Sequence, residues 1–282
     1  MSLNEELSMR HWMILACLLW AGFVGARTER VVIPGDHGKL VGDLQTPDGV
    51  KGKCPIVILC HGFGANRNGL ERDIARELEA RGIASIRFDF NGHGESEGDF
   101  RRMTIPNEIE DARLVYEWVK ADGRFGNIGL EGHSQGGVVA SMLAGRLGRK
   151  ALKGGVVLLA PAGGIREDAL RGTPPGLQGE FKGDPQDPPE YVMVWGHELG
   201  RDYIKSAFWL PIYETAAGYK GRACIVHGTS DRIVPYTYGY RFHQLWKKSE
   251  WHLLDHYDHG FGPHPEEAVK LAVAFFCKTL LK

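Results

Sequence analysis

The sequence predicts an α/β fold: a mostly parallel sheet, entered through an antiparallel hairpin, covered by helices on both faces and interrupted by one inserted cap. Three observations carry this. Apolar runs of strand length recur at "PIVILC" (55–60), "GGVVLLAP" (154–161) and "RACIVHG" (222–228), without the alternation of a sheet wetted on one side. Segments with apolar residues at helical spacing separate them, as repeated strand–helix units require. The chain has 282 residues, 43% hydrophobic and 24% charged, enough for one large domain with a sizeable core.

Before the first strand, Trp12 to Val24 carry no charge and lead into Gly25 and Ala26. That pattern reads as an exported leader over 1–26, too short to span a bilayer as a mature helix. Glu5 and Glu6 oppose the positive charge such a leader needs, and a start at Met9 would remove them and leave Arg10. The competing reading is a buried N-terminal helix. Cys17 follows too few apolar residues for a lipid-anchored leader. The expectation is a secreted or periplasmic protein with no stable membrane anchor, whose folded domain occupies 29–282.

Within that domain, "RVVIPGDHGKLVGDLQTP" reads as a hairpin turning at Pro34–Gly38. "PIVILC" follows as a fully buried strand. Leu70, Ile74 and Leu78 then mark a helix that Asn68 can cap and Gly82 can end. "IASIRFDF" (83–90) is a strand, and Ile105, Ile109, Ala112 and Val119 share one helical face. "NIGLEG" is a short strand before a helix running from Ser134 to about Leu147. After the strands at 154–161 and 222–228, "WHLLD" (251–255) is the last strand. "HPEEAVKLAVAFFCKTLL" closes the chain as a helix with Pro265 in its first turn.

Residues 162–210 break the pattern with five prolines and no clear period before "GRDYIKSAF". They also hold Phe181, Tyr191, Trp195, Tyr203, Phe208 and Trp209, apolar content that disordered segments lack. An ordered cap over the sheet is expected.

Gly-x-Ser-x-Gly, the mark of a serine on a strand-to-helix elbow, occurs at Ser96 and at Ser134. Only Ser134 has a strand ending just before it and a helix starting just after it, so that helix N-terminal amides face a developing oxyanion. Ser96 lies in a loop between Glu95 and Glu97, the wrong charge for that task. A serine hydroxyl needs a histidine to take its proton and a carboxylate to orient that histidine. "HGTSDRIVP" supplies Asp231 after the strand at 222–228. "WHLLDHYDHGFG" supplies His259, followed by a permissive Gly260, with His256 as the reserve. The oxyanion donors expected are the backbone amides of Gln135, next after the serine, and Phe63 in "HGFG" after the strand at 55–60. "HGFG" also admits the plainer reading of a glycine-rich turn.

No metal or organic cofactor is expected. His256 and His259 lack a third nearby ligand, and "HEL" at His197 lacks a zincin's second histidine. Cys54, Cys60, Cys224 and Cys277 match no zinc or redox spacing and read as free thiols. Lys+Arg total 34 against Asp+Glu 35, a net charge of -1, without the excess that binds nucleic acid.

"HGFGANR", "FDFNGHGESEG", "GHSQGG", "LPIYETAAGYKG", "HGTSDRIVPY" and "DHGF", in that order, resemble the α/β-hydrolase superfamily, and more narrowly the bacterial cinnamoyl and feruloyl esterases. The likeness runs from about Arg30 to the C-terminus. It implies a triad of Ser134, Asp231 and His259, oxyanion amides at Phe63 and Gln135, a structural "GESEG" loop and a cap shaping an aromatic acyl pocket. Hydrolysis of a small-molecule ester through an acyl-enzyme is the expected activity. Plant cell-wall hydroxycinnamoyl esters are the first candidates, with Trp195, Phe208 and Trp209 around the flat acyl group. These three could equally pack the cap onto the sheet. The alternatives are short-chain acyl or monoacylglycerol esters, transfer of the acyl group to an alcohol, and a non-catalytic binding protein on the same scaffold.

Overall fold

The computed structural model describes residues 27–281, so the expected leader and the choice between Met1 and Met9 lie outside the described residues. It shows the α/β-hydrolase fold. An eight-stranded sheet has the order β1-β2-β4-β3-β5-β6-β10-β11. β1 (Arg27–Gly35) and β2 (Gly38–Thr46) form the hairpin, turning through Asp36 and His37, and β2 also pairs antiparallel with β4 (Ala84–Phe88). From β4 onward every pairing is parallel, through β3 (Cys54–Cys60), β5 (Phe125–His133), β6 (Val156–Leu159), β10 (Ala223–Gly228) and β11 (Ser249–Leu254).

Both faces are covered, which is why the strands read as continuous apolar runs. On β3, Ile56, Ile58 and Cys60 enter one core, while Val57 and Leu59 enter the other. The first core holds α2 (Ile105–Ala121), α3 (Gln135–Leu147) and α7 (Tyr236–Leu245). The second holds α1 (Leu70–Glu79) and α8 (Pro265–Leu280). Each fully buried aliphatic side chain removed from water in this way contributes about 1.5–3 kcal/mol.

Local signals explain most boundaries. The Thr104 hydroxyl accepts the Asn107 amide to cap α2, and Pro265 occupies the first turn of α8. Asn68 does not cap α1 as expected. Gly69 takes the N-cap without a side-chain bond, and the Asn66 carboxamide accepts the Asn68 amide instead. The sequence reading also passed over α7, whose apolar residues are mostly aromatic and broken by Gly239, and the five-residue α6 (Ile212–Ala216).

Residues 162–210 are more regular than the sequence indicated. They contain α4 (Ile165–Arg171), a three-stranded antiparallel sheet of β7 (Leu177–Gln178), β8 (Tyr191–Val194) and β9 (His197–Gly200), and α5 (Arg201–Phe208). Strands of two to four residues are too short to show a period, and all five prolines lie between Gly172 and Tyr191, outside every helix. Among the described residues no helix is long and apolar enough to cross a membrane.

Candidate active site

The carboxyl ends of β3, β5, β10 and β11 converge, and each sends one loop to a common point. In an open parallel sheet, such a crevice is where ligands bind. Ser134 follows β5 with φ 54° and ψ −119°, a conformation that non-glycine residues rarely adopt. Its backbone is pinned there: its amide donates to the Leu159 carbonyl (2.9 Å), and its carbonyl accepts from Ala162 (3.0 Å) and Gly137 (3.0 Å). The turn closes only with glycine alongside. A Cβ on Gly136 would sit 2.2 Å from the Cys60 carbonyl oxygen, and one on Gly132 would sit 2.1 Å from the Gly136 oxygen.

The structure brings Ser134, His259 and Asp231 together. His259 Nε2 lies 2.8 Å from Ser134 Oγ, and His259 Nδ1 lies 2.7 Å from Asp231 Oδ2. A carboxylate can only accept, so Nδ1 carries the proton and Nε2 faces the serine as acceptor. Asp231 is surrounded by donors. Its Oδ1 accepts the amides of Ile233 (2.9 Å) and Val234 (2.8 Å), and its Oδ2 also accepts from His227 Nε2 (3.1 Å). Burial opposes ionisation of this carboxyl, yet the bonds from His227, His259 and Val234 outweigh it and hold its pKa below the usual carboxylate range.

The reserve histidine does not share the site. His256 is exposed beside Asp255, and its amide is tied to Thr229 Oγ1 (2.8 Å). Ser96 is occupied elsewhere: its hydroxyl donates to the Asp89 carbonyl (2.6 Å) and accepts the Val41 amide (2.8 Å). Glu95 beside it faces Arg30 and Arg67, so the "GESEG" loop braces the hairpin.

Phe63 and Gln135 stand beside the serine. A Cβ on Gly62 would lie only 3.2 Å from that of Ser134, so the loop after β3 passes in contact with the elbow. Gln135 opens α3, where backbone amides have no helical partner. Neither the Phe63 nor the Gln135 amide donates to another protein group among the described residues. Two neutral histidines shape this loop. Burial, aided by the neighbouring His93, lowers the pKa of His61 to about 3, and its Nδ1 donates to the Gly62 carbonyl while Nε2 accepts the Phe90 amide. His93 Nε2 accepts the Gly64 amide (3.3 Å).

Two further histidines escaped the sequence reading. His227, four residues before Asp231, supplies that carboxylate's second imidazole donor. His133, next to the nucleophilic position, donates through Nε2 to the His259 carbonyl (3.0 Å) and is kept neutral chiefly by burial, its pKa lowered to about 4. Their places inside "VHG" and "GHS" were the available signal.

A cleft partly open to solvent extends from Ser134 under residues 162–210. Its wall is apolar, with Ile165, Phe181, Val194, Trp195 and Ile204 prominent. Of the three aromatic residues expected there, only Trp195 lines it. Phe208 is buried behind the wall, its ring 6.4 Å from that of Phe181, and Trp209 is 65% exposed. The helical period explains the difference: Tyr203, Ile204 and Ala207 share the face of α5 turned to the cleft, and 208 and 209 lie round the turn. Asp168 is the unexpected member. It follows Ile165 at i+3 on α4, shares the cleft wall, and its side chain makes no hydrogen bond to the described protein. Burial lifts its pKa to about 6.

Among the described residues, Cys224, Glu250 and His252 are near enough together to hold a cation, but Glu250 is already paired with Lys278 Nζ (2.6 Å). Cys54, Cys60, Cys224 and Cys277 are all unpaired.

Comparison with known proteins agrees with this architecture. A family model described as serine aminopeptidase, S33, matches residues 52–180. The chain is 32% identical over 211 residues to bovine (Bos taurus) lysophosphatidylserine lipase ABHD12, a match covering 70% of this chain and 47% of that protein. It is 40% identical over 87 residues to an uncharacterized 31.7 kDa protein of Escherichia coli, 30% of each chain. The matches span less than half the length of these curated relatives. Among solved structures, Est1E from Butyrivibrio proteoclasticus with ferulic acid bound superposes with a TM-score of 0.83 at 28% identity, covering 89% of this chain and 100% of that one. The DcsB structure, at 18% identity and a TM-score of 0.69, shares the fold.

Proposed function

We propose that this α/β-hydrolase chain, a likeness of Est1E, is a serine carboxylic-ester hydrolase that works through an acyl-enzyme and takes hydroxycinnamoyl esters. The observation that carries the reaction is the continuous line from Ser134 Oγ through His259 to Asp231, at 2.8 and 2.7 Å. His259 Nε2 takes the hydroxyl proton as Ser134 Oγ bonds to the ester carbonyl carbon. The amides of Phe63 and Gln135 receive the negative oxygen. His259 returns the proton to the departing alcohol, and water repeats the sequence to release the acid. No step calls for a metal or an organic cofactor.

The substrate class rests on the cleft. Its apolar wall accommodates a flat acyl group beside Trp195, and Asp168 is a carboxyl group with no side-chain hydrogen bond among the described residues, suited to accept a phenolic hydroxyl. The ferulic acid bound in Est1E points the same way. An exported protein would meet such esters in plant cell walls. Specificity constants for methyl ferulate, methyl cinnamate and p-nitrophenyl butyrate test the reading. Methyl ferulate is expected to lead, and Asp168→Leu to erase its advantage over methyl cinnamate. A preference for the butyrate would assign short-chain esters instead.

A further inference from the structure

We propose that Tyr203 is a positioning residue for the oxyanion hole, through which the segment over the cleft sets the geometry of both amide donors. The inference rests on the role given above to the Phe63 and Gln135 amides. Tyr203 touches both of those residues. Its ring meets the Phe63 ring edge-on, with centroids 6.3 Å apart and planes at 71°. Its hydroxyl donates to Gln135 Oε1 at 2.7 Å.

The other end of the Gln135 carboxamide is equally fixed, because Nε2 donates to Glu108 Oε2 at 2.8 Å. All three side chains are buried, so each unmade bond would leave a polar group without water. A single chain of contacts thus runs from Glu108 on α2, through the first residue of α3, to Tyr203 on α5 and on to the loop after β3. Burial raises the Glu108 pKa well above the carboxylate range, so it serves as a neutral acceptor and needs no countercharge.

The loop carrying Phe63 needs such support. Gly62 and Gly64 flank Phe63 and bring no side chains of their own to anchor the loop, and the Phe63 ring is held by Phe100, Trp195, His197 and Tyr203. Three of those four belong to residues 162–210. Oxyanion donors act through being fixed before charge develops, so what fixes the Phe63 ring and the Gln135 side chain contributes to rate as well as to the cleft wall.

The test compares Tyr203→Phe with wild type, keeping the ring and removing only the hydroxyl. A trifluoromethyl ketone forms a hemiketal with Ser134 whose oxyanion occupies the hole, whereas the matching secondary alcohol fills the cleft without reaction. For Tyr203→Phe, kcat is expected to fall about 10-fold, and the ketone to weaken by a similar factor, a fraction of the loss from deleting a donor outright. KM and affinity for the alcohol should stay within about twofold. Glu108→Leu should behave like Tyr203→Phe, and Glu108→Gln, which keeps the acceptor, should recover most of the loss. Equal weakening of ketone and alcohol would reduce Tyr203 to a cleft wall and overturn the proposal, as would unchanged ketone affinity. Failure of the esterase reading is seen separately, as wild type that neither turns over esters nor takes a fluorophosphonate.

Discussion

Asp231→Asn offers the sharpest test of the reaction, because the four donors around Asp231 leave an amide no comfortable orientation. Oδ1 faces two backbone amides that cannot turn, and Oδ2 faces His227 Nε2 and His259 Nδ1. Asparagine must therefore give its oxygen to the amides of Ile233 and Val234 and its NH2 to the imidazoles. His227 cannot adapt, since its Nε2 also donates to the Val234 carbonyl (2.9 Å). His259 can, by moving its proton to Nε2, but that nitrogen then faces Ser134 as a donor and cannot take the hydroxyl proton. The wrong tautomer is expected to cost about 10³–10⁴ in kcat, roughly 4–5.5 kcal/mol of barrier. One lost charged bond should also remove about 1–3 kcal/mol of stability. That stability difference has a defined pH window. The folded pKa of Asp231 lies below its unfolded value of about 3.9, so its contribution is complete above that value and fades as the pH falls through the folded one. Turnover of p-nitrophenyl butyrate, the rate of fluorophosphonate labelling and urea melts would measure all three. A folded Asp231→Asn variant within about tenfold of wild type in kcat would show that another group orients His259, and the reasoning would fail.

Other expectations follow from single sites. Ser134→Ala should stay folded and lose both labelling and at least about 10⁴ in ester turnover; retained turnover would place the nucleophile elsewhere. Gly136→Ala forces a methyl onto the Cys60 and His61 carbonyls, so poor folding or loss of more than about 2 kcal/mol by urea melt is expected, and a neutral outcome would contradict the tight elbow. Glu131 is fully buried with neither carboxylate oxygen bonded, its pKa raised well above normal by burial and then by Glu71, itself lifted to about 7. The native state thus holds protons that the unfolded chain releases above about pH 4.3, and wild-type stability should decline as pH rises toward the folded values. Glu131→Gln should flatten that decline and gain about 1–3 kcal/mol near pH 8 in urea melts across pH 5–9. An unchanged decline would mean that Glu131 is already ionised in the folded state.

The sheet and the converging residues were legible because their signals are local and redundant. "PIVILC" announces a strand buried on both faces whatever surrounds it, and "EGHSQGG" places strand end, serine and helix start within seven residues. Asp231 and His259 could be chosen because each follows a readable strand. His259 could be preferred to His256 on loop geometry, and the structure puts only His259 beside the serine. What failed needed long-range knowledge. Nothing near Trp209 says that the helix turns it outward, and nothing near Asp168 says that its face meets a cleft built from segments as distant in sequence as Phe63 and Tyr238. His133 was hidden in a plain motif because its partner, the His259 carbonyl, reaches it only once the sheet has formed, and His227 because nothing in "VHG" says that its ring turns toward Asp231 four residues on.

The same division separates chemistry from selectivity in the molecule. Ser134, Asp231 and His259 hang from the ends of three neighbouring or near-neighbouring parallel strands, whose register is fixed by ladders such as Val226 opposite His252 and His133 opposite Leu159. Moving Ser134 or Asp231 means shifting β5 or β10, interior strands whose slip would turn side chains into the wrong core, and His259 follows the edge strand β11 laddered onto β10. The cleft wall has no such constraint. Among the described residues β7, β8 and β9 pair only with one another, and α5 packs against α4, α2 and β9. Their residues can change size or polarity without disturbing the strand ends. Tyr203 is the exception, because it faces the cleft and also grips Phe63 and Gln135. Substitutions that retune the acyl group should therefore be tolerated at Ile204 and Asp168 with kcat on a small ester kept within a few-fold, whereas at Tyr203 any change of acyl preference should come with a loss of rate. A set of cleft variants in which Tyr203 behaved like Ile204 would dissolve that distinction.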